Sequence, residues 1–495
     1  MSISGLGAQS AFAIQQLVSM RAQFNDLQRQ LSTGQKSSTY AGLGLDRGLT
    51  VSLNAQLSAI DAYGDTIDNV MSRVNLMNTT LNRMVDIGSA IKAVMVQANT
   101  TGNSSGAYTA QSSAKVSLDE LLGLLNAQAG DRYLFSGRMT DTPAAETMEH
   151  ILNGDGGRAG LQQLIAERKA ADLGAGGLGR LSIANGGTSV SLTEDAGLFG
   201  FKLASVNSTV ANSTASGPIG SPATLSVNFT GVPSAGETIT VRFTLPDGSS
   251  ENLTLTATTN APPGANEFTI GGTAAASAAN FESALNASLG TLAATSLTAS
   301  SAVQASNEFF DGDAGNPPLR VDGPPFDTAT GMVAGTTANT VIWYTGETGT
   351  DPARGTAVAR IDQSLSVSYG ARGNEPGLRA MVQSVATLAA ITVSSSDPNA
   401  SALSRALNQR VAGGMSGGSQ SITDVQAELA SAQGSMVAAK SRHQQTTAML
   451  SDFLQQIAGV SNEEVGSKIL ALQTRMQASM QTTAMLFQTS LVNYL

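Results

Sequence analysis

The chain has 495 residues, a formal net charge of −10, two histidines and no cysteine. The acidic balance argues against nucleic-acid and membrane-surface binding, because both partners are themselves anionic, and the missing thiols exclude disulfides, thiolate metal sites and cysteine nucleophiles. Charged residues are only 13% and aromatics 4%, while glycine reaches 52; with about 25% charge the norm, this composition suits Ala-rich helices and small β units rather than a large aromatic core.

The first periodic segment is Leu17, Met20, Phe24, Leu27 and Leu31, stepping by three and four. That is the spacing of a coiled-coil seam. Gly34 breaks it, and Gly42, Gly44 and Gly48 mark a loop. A longer pattern runs from Leu53 through Leu57, Ile60, Gly64, Ile67, Met71, Val74, Asn78, Leu81 and Val85 to Gly88, flanked by Val70, Met77 and Met84. The spacing predicts a helix over about 53–98, close to 70 Å long at 1.5 Å per residue. A third helix is expected near 108–128.

The middle loses the heptads. A helix is expected over 161–173 and a strand at 181–183. From 222 to 259 apolar and polar residues alternate, and Leu245-Pro246-Asp247-Gly248 reads as the turn of a β-hairpin. A short helix near 274–289 and a strand pair around 319–345 follow. Helices over 375–391 and 398–411 lead to the glycine pairs 413–414 and 417–418. The C-terminal end returns to threes and fours, from Ile422 through Leu429, Met436, His443 and Leu450 to Val460. Ser461-Asn462-Glu463-Glu464 reads as a capping box that starts a last helix. That helix carries Val465, Leu472, Met476, Met480, Phe487 and Leu491.

Heptads at both ends predict an α+β protein. Its two chain ends would form a long, antiparallel, coiled-coil-like helical bundle, and a β-rich domain would be inserted in the middle. The expected divisions are 1–140, 141–374, a helical connector 375–420, and 421–495. Narrow seams bury little area alone and more when copies stack. Segments 17–31 and 465–495 are therefore expected to order on assembly.

Catalytic and metal signals are sparse, and neither metal nor cofactor is expected. His443 sits on the seam, far in sequence from His150. Gly174-Ala175-Gly176-Gly177-Leu178-Gly179 matches a dinucleotide fingerprint literally. It follows a predicted helix and precedes a predicted strand, the reverse of what that chemistry needs. Asp119-Glu120, Glu194-Asp195 and Glu463-Glu464 read as solvated faces or turns, and Asp311-Gly312-Asp313 lacks the other ligands of a calcium loop. Asn207, Asn228 and Asn252 begin Asn-x-Ser/Thr triplets. No apolar run reaches the roughly 20 residues of a membrane span, so membrane insertion is not expected. Residues 1–7 show no basic and apolar signal regions, so export without a cleaved signal peptide is expected.

Four segments carry a family likeness. Leu31-Ser32-Thr33-Gly34-Gln35-Lys36, the helix ending Val96-Gln97-Ala98, Gly130-Asp131-Arg132-Tyr133-Leu134-Phe135-Ser136-Gly137 and the closing Ser490-Leu491-Val492-Asn493-Tyr494-Leu495 resemble the flagellin and hook-associated family of axial flagellar proteins. Within it, Tyr133–Gly137 and the Asn-Tyr-Leu ending lean toward the hook–filament junction type. The chain departs from the family pattern at Ser37–Gly42 and Ile91–Val94. The resemblance implies an extracellular structural protein of the flagellum and not an enzyme. It would leave through the flagellar type III apparatus, with an export chaperone, and assemble with copies of itself, hook, hook-associated proteins and flagellin. Leu17, Phe24, Leu27, Leu31, Leu472, Met476, Phe487 and Leu491 are the expected assembly positions. The other readings are a filament-forming flagellin and, in another class, a surface adhesin or carbohydrate-binding module displayed on helices.

Overall fold

In the computed structural model, the backbone is described for residues 3–101, 104–392, 396–415 and 418–492, and side chains for 11–100, 105–392, 396–415, 418–485 and 488. Helix α1 (Ile3–Thr33) ends at Gly34, whose φ of +65° lies in the left-handed region. The Gly34 N–H donates to the Gln30 carbonyl at 2.8 Å, a glycine cap of the kind that closes helices. A 3₁₀ turn (Tyr40–Asp46) leads into α2 (Arg47–Thr101), of 55 residues, and then α3 (Ser104–Leu125). A small hairpin, β1 (Gln128–Ala129) and β2 (Arg132–Tyr133), precedes α4 (Met148–Asn153) and α5 (Leu161–Leu173). Strands β3 (Leu181–Asn185), β4 (Ser189–Glu194), β5 (Lys202–Ser208), β6 (Ser213–Ile219), β7 (Thr224–Phe229), β8 (Thr238–Thr244), β9 (Ser250–Thr258) and β10 (Glu267–Thr269) follow. Helix α6 (Ala274–Leu292) passes through a π turn (Ala293–Leu297) into α7 (Thr298–Asp311). Next come β11 (Leu319–Val321), β12 (Met332–Ala334), β13 (Val358–Arg360) and β14 (Ser366–Ser368). Helices α8 (Pro376–Ala390), α9 (Ala400–Gly414), α10 (Ile422–Ala458) and α11 (Asn462–Val492) complete an α+β chain.

The chain divides into two compact units. One comprises Met1–Met71, Ala359–Val367 and Gln433–Leu495; the other comprises Ser72–Val358 and Ser368–Ala432. In the first unit α1 contacts α11, and Ala359, Ile361 and Val367 from the middle of the chain are buried.

The second unit holds two four-stranded sheets, ordered β3-β4-β7-β6 and β10-β9-β8-β5. Alternate residues point inward: Leu225, Val227 and Phe229 from β7, and Ile239, Val241 and Phe243 from β8. The alternation follows from the two-residue period of a strand. Helix α6 adds Phe281, Leu285 and Leu289 to this core, and Phe229, Phe268 and Phe281 meet edge to face with centroids 5.5–6.2 Å apart. The expected hairpin is present, β8 pairing antiparallel with β9 around a turn in which Leu245 N–H donates to Ser249 O at 2.9 Å.

Buried ions fasten this unit. Arg168 bridges Asp172 and Glu308 at 2.9 Å each, and the second Asp172 oxygen accepts from Gly200 N–H, also at 2.9 Å. Arg410 on α9 reaches Asp247 and Glu251 beside the hairpin turn, both at 3.1 Å. Removing one member of such a set strands the other in a dry interior.

Two expectations need correction. On α2 the buried line is Ile67, Val70, Val74, Met77, Leu81 and Met84, while Met71, Asn78 and Val85 are only half-buried. Both lines obey the same spacing and share Ile67, Val74 and Leu81. The line with Val70, Met77 and Met84 is wholly apolar; the other carries Asn78, whose amide oxygen is buried without a hydrogen-bond partner among the described residues. The helix expected at 274–289 continues to Asp311. Its second half buries Ala299, Ala302, Ala305, Phe309 and Phe310 together with serines whose hydroxyls bond back along the helix: Ser301 to Leu297 O at 2.9 Å and Ser306 to Ala302 O at 2.8 Å.

Candidate assembly interface

The first unit begins with two helix breaks tied together. Gln35 and Gly459 form an antiparallel bridge. Lys36 N–H donates to Ala458 O at 2.8 Å, Val460 N–H donates to Gly34 O at 3.0 Å, and the Lys36 ammonium donates to Ile457 O at 2.5 Å. Orphan carbonyls at the end of α10 are thereby satisfied. A cavity of about 640 Å³ lies beside the bridge, walled by Tyr40, Leu43, Asn54, Leu454 and Gln455.

The start of α11 is capped by Ser461, whose hydroxyl accepts from Glu464 N–H at 3.4 Å. The expected capping box is only half made. Glu464 turns to Lys468 at 2.5 Å instead of reaching back, and the Ser461 hydroxyl donates to Glu463. That hydroxyl holds the Glu463 carboxyl below its ordinary range, and the Lys468 hydrogen bond does the same for Glu464. Both acids lie in the first turn, where the helix dipole favours negative charge. The reciprocal box occurs in the second unit, at the start of α10. Ser421 N–H donates to Asp424 at 2.7 Å, and Asp424 N–H donates to the Ser421 hydroxyl at 3.2 Å.

Of the expected assembly positions, Leu472 is buried, Leu17, Phe24, Leu27 and Met476 are half-buried, and Leu31 is exposed. The side chains of Phe487 and Leu491 lie outside the described residues. Helix spacing did not single out a second set that the fold leaves in water. On α1 these are Phe12, Ile14 and Val18; on α11, Leu470 and Met485; on α10, Met449. Leu45, in the turn before α2, is fully exposed. Soluble monomers rarely leave large apolar patches uncovered, and such surface marks interaction sites. The signal available in the sequence was the density of large apolar residues beside the seam, which a strict seam reading passes over.

The remaining polar candidates have local partners. Glu120 pairs with Arg83 at 2.6 Å, Asp195 with Arg180 at 3.0 Å, and Asp311 with Arg379 at 2.5 Å. Asp313 accepts the Gly315 and Asn316 N–H groups at 2.7 Å each, forming a turn. His150 meets Glu146 at 3.0 Å. The segment Gly174–Gly179 joins helix α5 to strand β3, and a β-carbon on Gly179 would fall 2.3 Å from the Phe201 ring. Its glycines serve a turn and a close approach. Among the described residues no three His, Asp or Glu are grouped to hold a metal ion, and no helix is long and apolar enough to cross a membrane.

Residues 4–140, covering α1 to β2, match the family model of the bacterial flagellin N-terminal helical region. No curated protein matches the chain. The flagellin family is a structural family, part of the extracellular flagellum, whose members assemble with one another and with other flagellar proteins. Over residues 4–140 this chain is thus similar to the N-terminal helical region of bacterial flagellin.

Proposed function

We propose that this structural subunit of the flagellum is of the hook–filament junction type, and that it assembles through the helices at its two chain ends. The observation that carries the assembly reading is the large apolar surface left in water on α1, α10 and α11. In an assembled tube the ends would pair antiparallel as a coiled-coil-like bundle, with Leu17, Phe24, Leu27, Leu31, Leu472, Met476, Phe487 and Leu491 along the contacts. Segments 1–140 and 421–495 would form the axial part, 375–420 the connector, and 141–374 an insertion that carries the variable surface. The same apolar surface needs covering before assembly, which favours an export chaperone. Export through the flagellar type III apparatus, without a cleaved signal peptide, is part of the same reading.

Tyr133–Gly137 and Asn493-Tyr494-Leu495 support the junction type. The match of residues 4–140 to a flagellin region favours a second reading, a filament flagellin. Shearing separates them. A junction protein stays with the hook–basal-body fraction in a small fixed copy number, and a flagellin makes up the bulk of the sheared filament. Absence from both fractions overturns the proposal.

A further inference from the structure

All the sulfur in this chain is thioether: there are 16 methionines and no cysteine. A thiolate would consume an oxidant first. Without one, two-electron oxidants fall on methionine, and solvent exposure decides which residues they reach.

The fold sorts the methionines sharply. Met77, Met84 and Met436 are at most 1% exposed, whereas Met139, Met449, Met480 and Met485 are 43–67% exposed. Three of those four lie on α10 and α11, in the unit built from the chain ends. They share that unit with the other exposed apolar side chains of the chain ends, Leu470 on α11 and Phe12, Ile14 and Val18 on α1.

A thioether suits a surface that must fit a neighbour, because it is flexible, polarizable and apolar. A sulfoxide does not. Its oxygen is a strong acceptor, and burying it without a donor costs the desolvation of that oxygen.

We infer that Met449, Met480 and Met485 are oxidation sites for hydroperoxides, and that their sulfoxides bar a subunit from assembling. The inference rests on the assembly reading above and adds a mode of regulation to it. Each thioether sulfur gives two electrons to the peroxide. An S–O bond forms and the O–O bond breaks. The departing hydroxide takes the proton from the new sulfoxide oxygen and leaves as water. A free subunit offers all three sulfurs to solvent and an assembled one covers them, so the reaction is confined to the interval before incorporation.

The test uses the full chain in a strain lacking it, with flagella regrown after shearing in the presence or absence of hydrogen peroxide. The ratio of flagella-bound to released protein is read, and sulfoxide is mapped by mass spectrometry. Peroxide should lower the ratio for the wild-type chain at least about tenfold, with sulfoxide at the three positions in the released chain and not at Met77, Met84 or Met436. M449L/M480L/M485L keeps the apolar bulk without the sulfur, and its ratio should not change with peroxide. M449Q/M480Q/M485Q carries a polar oxygen in place of the thioether. It should incorporate at least about tenfold less without any peroxide, its circular dichroism unchanged. An equal fall for the wild-type and leucine chains would overturn the inference, as would incorporation of the oxidised wild-type chain or of the glutamine chain at the untreated level. Each of these leaves the assembly reading standing. Absence of the untreated wild-type chain from flagella would overturn both.

Discussion

Replacing Phe12 with serine separates assembly from folding. Phe12 is 71% exposed on α1. On a side chain of roughly 200 Å², that leaves about 140 Å² in water. Burying this area against a neighbour is worth up to about 3.5 kcal/mol at 25 cal/mol per Å², or about 300-fold in an assembly constant. The free chain gains nothing from the ring, so its urea midpoint should shift by no more than about 0.5 kcal/mol equivalent. Leu472→Ala is the opposite case. Leu472 is buried within the unit, so truncation should cost about 2–5 kcal/mol of stability in the free chain. Urea titrations followed by circular dichroism, set beside incorporation into flagella, read both quantities. Wild-type incorporation of F12S, or a large loss of monomer stability, would refute the reasoning.

Phe281→Ala should cost about 3–5 kcal/mol within the β-sheet unit while leaving incorporation into flagella intact; tryptophan fluorescence and the same incorporation assay check the two halves. Arg410→Ala leaves the buried carboxyl of Asp247 unpaired and should destabilise by about 3–5 kcal/mol, read as a lowered urea midpoint. Burial pushes the Glu308 carboxyl up, so the folded chain holds that proton more readily than the unfolded one. Its contribution is therefore favourable at low pH and falls as pH rises from the ordinary carboxylate range through the raised value. The stability difference between wild type and E308Q should change across that window, and a flat difference would contradict it. Ser421→Ala removes the reciprocal cap of α10 and should cost about 1 kcal/mol, measured by denaturation.

The long helices at the chain ends could be read directly, because threes and fours recur over many turns and glycines punctuate them at Gly34 and Gly459. The hairpin of β8 and β9 was equally plain, with strict alternation on both sides of Pro246-Asp247-Gly248. Strands β4, β5 and β6 were not, since Ser, Thr, Ala and Gly dilute their alternation. Helix α7 escaped for a similar reason: its buried line is mostly alanine beside serines that satisfy themselves, a weak apolar signal before Phe309 and Phe310. The two stripes on α2 share one spacing, and the wholly apolar one, with Val70, Met77 and Met84, is the more deeply buried. Nothing local in Ala359–Val367 says that it belongs with Met1–Met71 and Gln433–Leu495, far from it in sequence on both sides. The assembly surface was half legible. Seam spacing finds Leu17 and Leu472, but Phe12, Val18 and Leu470 are identified only once the fold shows which faces stay in water.

Hydrogen exchange compared between the free chain and the protein in isolated flagella tests the central claim most directly. Assembly through the chain ends predicts that amides of α1 and α11 exchange readily in the free chain. In flagella they should become at least about a hundredfold slower, as expected for helices buried between subunits. Equal protection of both helices in the two states would contradict it.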